Sequence, residues 1–312
     1  MKRLLLAAVL LGLGITPALA QTVPELPFES VPNPLKLPND IHFGEIAGVA
    51  VNSYGHVFVF SRGNSVGPAY MATASQLLEF DAQGNFVREI GKNLNAWSYA
   101  HAVRIDPQDN IWVVDKGSNM ILRFTPEGHV DWVFGRKGEA SHIQVPPDYE
   151  TVMARRLSRM GVDVNIPENN NPRWPLPVHR DNVFNQPTDV AWDSQGNSYF
   201  SDGYINSRIG KVNARGEWVT SWGSLGSGPG QFDTPHGIAV SPADEIYVAD
   251  RGNRRIQVFD ADGNYIREFT VDVPVDTTRG KIVYGRKNPN GTTGSLAPGA
   301  PDALCITPGP NP

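Results

Sequence analysis

One cysteine, Cys305, in 312 residues has no partner for an intrachain disulfide, so the core alone must hold the fold. Neither charge sign dominates. Lys and Arg number 27 against 32 Asp and Glu, for a formal net charge of −5 with no basic block. That excludes the basic footprint by which proteins hold nucleic acid. Long apolar runs are also missing after the first twenty residues, so nothing later reads as a membrane span. Glycine (31) and proline (26) are plentiful, which suits many short strands and turns.

The one apolar run opens the chain: MKRLLLAAVLLGLGITPALA. Lys2 and Arg3 form a basic start, Leu4 to Ile15 an apolar centre, and Ala18-Leu19-Ala20 a small-x-small cleavage site, the pattern of a signal peptide over 1–20. Gln21 stands where a lipid anchor needs Cys. The expectation is a secreted or periplasmic protein, free of the membrane after cleavage. Residues 21–40 carry five prolines and no periodicity, and read as an extended lead-in to a domain over 41–312.

Four segments of that domain align without gaps: GVAVNSYGHVFVFSRG (48–63), AVRIDPQDNIWVVDKG (102–117), DVAWDSQGNSYFSDGY (189–204) and GIAVSPADEIYVADRG (237–252). Each alternates apolar and polar residues, turns at Asp, Asn, Ser or Gly, and alternates again. A further hairpin follows each, for example RIQVFDADGNYIREF (255–269). Four short antiparallel strands per repeat predict an all-β propeller, because one sheet cannot bury both its faces and packed blades can. A fifth copy starts at APDALCITPGPNP, with Leu304 to Thr307 as its inner strand, and stops there. The expectation is a six-bladed propeller cut short in blade five. An insertion at about 136–182 interrupts it, where MARRLSRMGV suits a short helix. His142 and His179 within it read as loop histidines rather than metal ligands.

Equivalent positions just ahead of these segments hold Ala47, His101, Thr188, His236 and Asp302. In a propeller they share one depth around the axis, and blades two and four contribute His101 and His236. Alternate blades of six mark a triangle, which suits a three-His site for zinc or another divalent metal, with its third corner on blade six. The bland alternative is two histidines capping turns. The turn after the second strand carries Ser61-Arg62, Asp115-Lys116, Asp202-Gly203-Tyr204 and Asp250-Arg251. It sets cations, and in one repeat Tyr204, at the rim of that ring. Positive surroundings favour a phenolate able to act as a base. The alternatives are a packing role for Tyr204 and ion pairs of Arg251 and Arg208 with Asp250 and Asp202.

VADRGNRRIQVFDADGN (248–264) resembles the NHL repeat, a propeller unit. With FSRG at Arg62, SYAHAV at His101, FSDGYINSRI at Tyr204, DTPHGIAV at His236 and VADRGNRRIQVF at Arg251, the chain resembles the peptidyl-α-hydroxyglycine α-amidating lyase family from about 42 to 307. That resemblance implies a six-bladed NHL propeller with a three-His zinc and a structural calcium. It implies His101 and His236 as zinc ligands, Tyr204 as base, and Arg62 and Arg251 as holders of a carboxylate. The substrate would be a small molecule or peptide ending in that carboxylate, split at a C–N bond to an amide and glyoxylate. The family's third His follows Pro in P-H-D-I, whereas this chain has Pro301-Asp302-Ala303-Leu304. Two rival functions remain. One is a non-catalytic NHL propeller binding peptide or glycan. The other is a calcium-dependent lactonase-like propeller, which needs inward carboxylates where the ring offers only Asp302.

Overall fold

A computed structural model of the chain describes residues 29–63, 75–137, 181–270 and 300–306. The expected signal peptide, nearly all of the insertion with its helix, and His142 and His179 lie outside them. The chain divides into two compact units, Met1–Pro34 and Leu35–Pro312, and every strand belongs to the second.

Sixteen strands form four antiparallel sheets, each ordered as in the sequence. The first holds β1 (Ile46–Val51), β2 (Val57–Ser61), β3 (Gln76–Phe80) and β4 (Phe86–Ile90). The second holds β5 (Ala100–Ile105), β6 (Ile111–Asp115), β7 (Met120–Phe124) and β8 (Val130–Phe134). The third holds β9 (Asp189–Trp192), β10 (Ser198–Asp202), β11 (Arg208–Val212) and β12 (Trp218–Trp222). The fourth holds β13 (Pro235–Val240), β14 (Ile246–Asp250), β15 (Arg255–Phe259) and β16 (Tyr265–Thr270). The first strands of successive sheets pack on one another, β1 on β5, β5 on β9 and β9 on β13, as inner strands of propeller blades do. β1, β5, β9 and β13 are the first strands of the four aligned segments. The described residues form four sheets. Residues 300–306, expected to begin a fifth, run beside β13 without strand pairing, Ala303 Cα lying 2.9 Å from where a Cβ on Gly237 would stand. A strand needs a hydrogen-bonded partner, and no second strand of that repeat is among the described residues.

Turn chemistry explains the regular hairpins. In the β3–β4 turn the Asp81 carboxylate accepts from the backbone N–H of Gln83 and Asn85, at 2.9 and 2.8 Å, and Gly84 takes φ 76°. Asp260 and Gly263 (φ 85°) repeat this between β15 and β16. The carboxylate satisfies turn donors while glycine supplies the left-handed residue.

The core sits between sheets. Phe58, Phe60 and Leu77 of the first sheet meet Val103, Ile111 and Val113 of the second. Trp112 and Val114 meet Val190 and Phe200, and Tyr199 and Ile209 meet Ile238 and Val248. Each buried aromatic or aliphatic side chain contributes roughly 1.5–3 kcal/mol, so every sheet depends on its neighbours. The outer face of the first sheet is covered differently. Leu35 and Leu37 of the Pro-rich lead-in, with Ile41 and Phe43 just after it, pack on Val59, Leu78 and Phe80.

Candidate functional site

His101 and His236 are placed by a shared backbone irregularity. The β5–β6 register shifts between Ala100 and Ala102, and the β13–β14 register shifts between Pro235 and Ile238. Each histidine therefore sits in a bulge, a device that re-aims a side chain at the end of a strand. The corresponding shift in β1 falls at Ala47.

The loops leading into these bulges are held by the repeated aspartate of the second strand. Asp115 accepts from the N–H of Ser98 at 2.8 Å, Asp202 from Asn185 at 2.8 Å and Asp250 from Asp233 at 2.8 Å. Ser98, Asn185 and Asp233 each lie three residues before the ring position. Asp202 and Asp250 also pair with buried arginines, Arg208 at 3.0 Å and Arg255 at 2.8 Å. Arg208 thus has the structural role weighed for it. Arg251 does not pair with Asp250. Its Nη1 meets Asp302 Oδ1 at 3.0 Å.

His101 and His236 face one another, with ring centroids 4.8 Å apart. His101 Nδ1 lies 2.7 Å from the Thr188 carbonyl, and His236 Nδ1 2.6 Å from the Asp302 carbonyl. A carbonyl only accepts, so both Nδ1 atoms donate and both Nε2 atoms keep a lone pair. Thr188 and Asp302 hold the ring position of the next repeat in each case. Burial, then the proximity of His236, pushes His101 well below the ordinary imidazole range. Burial and the Arg251 cation push His236 down to about 4. Both rings are therefore neutral at pH 7.

Tyr204 Oη stands between them, 3.3 Å from His101 Nε2 and 3.1 Å from His236 Nε2. One phenolic proton can serve only one of these two acceptors. Three lone-pair-bearing atoms thus share a single hydrogen, a donor set suited to a cation. With Nδ1 fixed by carbonyls, the pair also matches how metal-ligating histidines are oriented. His101 and His236 accordingly fit as two ligands of a divalent metal. Among the described residues no third His, Cys, Asp or Glu joins them.

Cations surround the phenol. Lys116 Nζ lies 3.5 Å from the centroid of the Tyr204 ring, and Arg251 Cζ lies 5.3 Å from it. Arg62 stacks on Tyr99 at 4.0 Å, donates from Nε to the Ala100 carbonyl at 3.0 Å and pairs with Glu45. Sequence reasoning singled out five residues, Arg62, His101, Tyr204, His236 and Arg251. The structure gathers His101, His236, Tyr204 and Arg251, with Arg62 one aromatic ring away on Tyr99. It adds Lys116, whose signal was its repeat position, shared with Arg62 and Arg251. It also adds the carbonyls of Thr188 and Asp302, which no side chain announces.

Comparison with known proteins gives a consistent family context. A family model for the NHL repeat matches residues 232–259. Rat peptidylglycine alpha-amidating monooxygenase is 30% identical over 248 residues, 72% of this chain and 22% of that protein. Peptidyl-alpha-hydroxyglycine alpha-amidating lyase 1 of Drosophila melanogaster is 25% identical over 247 residues, 71% of this chain and 38% of that one. The chain thus spans about a fifth of the rat protein it matches. A streptogramin B lyase structure covers 76% of this chain and 57% of its own, at 14% identity and a TM-score of 0.47. The likeness to NHL-repeat amidating lyases is therefore shown, at low identity.

Proposed function

We propose that this chain, similar over about 70% of its length to proteins named as an alpha-amidating monooxygenase and an alpha-amidating lyase, cleaves the C–N bond of an N-acyl-α-hydroxyglycine, releasing an amide and glyoxylate. One observation carries the reading, the Tyr204 hydroxyl held between the free Nε2 atoms of His101 and His236. Tyr204 Oη, once its own phenolic proton has left to solvent, is the group that takes the proton of the carbinol hydroxyl. As that O–H bond breaks, the carbinol oxygen forms the aldehyde C=O of glyoxylate. The C–N bond electrons leave on the amide nitrogen, which takes up that proton from Tyr204 Oη and so restores the base. Positioned proton acceptors of this kind contribute roughly 10²- to 10⁴-fold. Lys116 and Arg251, set against the phenol ring, offer fixed positive charge to the anion that proton transfer creates. A zinc ion held by His101 and His236 would supply a Lewis acid to the carbinol oxygen.

The substrate class is a small molecule or peptide with a C-terminal carboxylate, met outside the cytoplasm if Met1–Ala20 directs export. The test is glyoxylate release from α-hydroxyhippurate by the full-length chain loaded with zinc. Turnover supports the lyase. Its absence, with hippurate-like ligands still bound, supports the rival of a non-catalytic NHL binding protein.

A further inference from the structure

Three repeats carry a cation at the same turn position, and two of these cations have a carboxylate. Arg62 pairs with Glu45 and Arg251 with Asp302. Lys116 pairs with no carboxylate among the described residues. Its ammonium rests 3.5 Å over the Tyr204 ring and 5.3 Å from the Tyr99 centroid. Beside it, Arg251 is 7% exposed and its Nε is buried with no hydrogen-bond partner among the described residues. Among the described residues, two carboxylates against three cations, around two neutral imidazoles, leave one positive charge over. A buried donor without a partner is costly, and an uncompensated charge beside like charges is costly too. Burial, then Arg62 and Arg251, push the Lys116 ammonium down to about 8, the expected mark of a cation short of a counter-ion.

We propose that Lys116 and the free Nε of Arg251 form an anion-holding position against the Tyr204 ring, which takes the substrate's carboxylate and makes Lys116 a specificity-determining residue. The excess of one charge matches a single carboxylate. The compact three-donor ammonium reaches it as a point charge, while the guanidinium edge fixes its plane. Arg62, already stacked on Tyr99 and paired with Glu45, is left to support the turn. The identity of the carboxylate, that of an N-acylglycine skeleton, rests on the lyase reading. The presence of the anion position does not.

Binding without turnover separates the two. The probes are hippurate, which has the carboxylate, and hippuramide, its neutral amide, titrated calorimetrically into the full chain. Wild type should bind hippurate at least about tenfold more tightly than hippuramide. Lys116→Gln should weaken hippurate by about ten- to a hundredfold, the usual value of a charge-assisted hydrogen bond, and leave hippuramide unmoved. Lys116→Arg should restore most of the loss. Equal binding of the two ligands by wild type, or wild-type hippurate affinity in Lys116→Gln, overturns the proposal. The wild-type comparison decides even if the variant fails to fold. Failure of glyoxylate release would sink the lyase reading while leaving this result standing.

Discussion

A methyl group on Gly203 would meet the Pro235 carbonyl oxygen at 1.7 Å. The turn position that holds Arg62, Lys116 and Arg251 in the other repeats is therefore closed to a side chain in the third, where the backbones of adjacent sheets touch. The functional group moves one residue on, to Tyr204. Gly203→Ala should force the two backbones apart, costing about 1–3 kcal/mol as overpacking does. It should also displace Tyr204, which a loss of hippurate affinity together with a lower urea midpoint would show. A variant with wild-type stability would mean that the contact is soft. Lys116 yields a second test at this scale. Its folded pKa of about 8 lies below the unfolded 10.5, so between those values the unfolded chain holds a proton that the folded chain has lost. Stability must rise with pH across that window. Wild type should therefore gain stability relative to Lys116→Gln from pH 8 to 10.5, and parallel profiles would contradict the assignment.

At the scale of the element, the site is a property of bulges and of the carboxylates that hold the loops before them. Asp202 and Arg208 are almost wholly buried as a pair, and Asp202 also binds the Asn185 N–H upstream of Thr188. Asp202→Asn should cost about 3–5 kcal/mol, the usual cost of leaving one partner of a buried pair unopposed. A denaturation midpoint shifted by less than 1 kcal/mol would argue that Arg208 finds another acceptor. Much of this was legible in the sequence. Gapless repeats put His101 and His236 in one register, and the structure gives them one bulge each. Tyr204 was legible for the same reason. The carbonyls that set the histidine tautomers were not, because Thr188 and Asp302 act there through backbone. Arg251 was expected either free or on Asp250, but Arg255 occupies that carboxylate. Of the strand expected at Leu304 to Thr307, the described residues Leu304 to Ile306 form no ladder, because no second strand of that repeat is among the described residues.

At the scale of the molecule, four sheets share three cores, and the site lies where their first strands converge. Sequence period foretold that convergence, because a repeated four-strand unit buries itself only against its neighbours. It did not foretell that the end of the proline-rich lead-in and the residues just after it would cover the outer face of the first sheet through Leu35, Leu37, Ile41 and Phe43. Isolated apolar residues between prolines carry no period. Convergence also predicts metal binding that needs two sheets at once. Zinc should bind the full chain one to one by calorimetry, and His101→Ala or His236→Ala should each weaken it at least tenfold. Unchanged affinity in both variants would remove the histidines from any metal site. The central claim is that Tyr204 Oη, as phenolate, takes the carbinol proton, and the most direct measurement is the rate of glyoxylate release from α-hydroxyhippurate by wild type and Tyr204→Phe. The account predicts wild-type turnover and a fall of about 10²- to 10⁴-fold in the variant, with its thermal midpoint retained. Equal rates in the two proteins would contradict it.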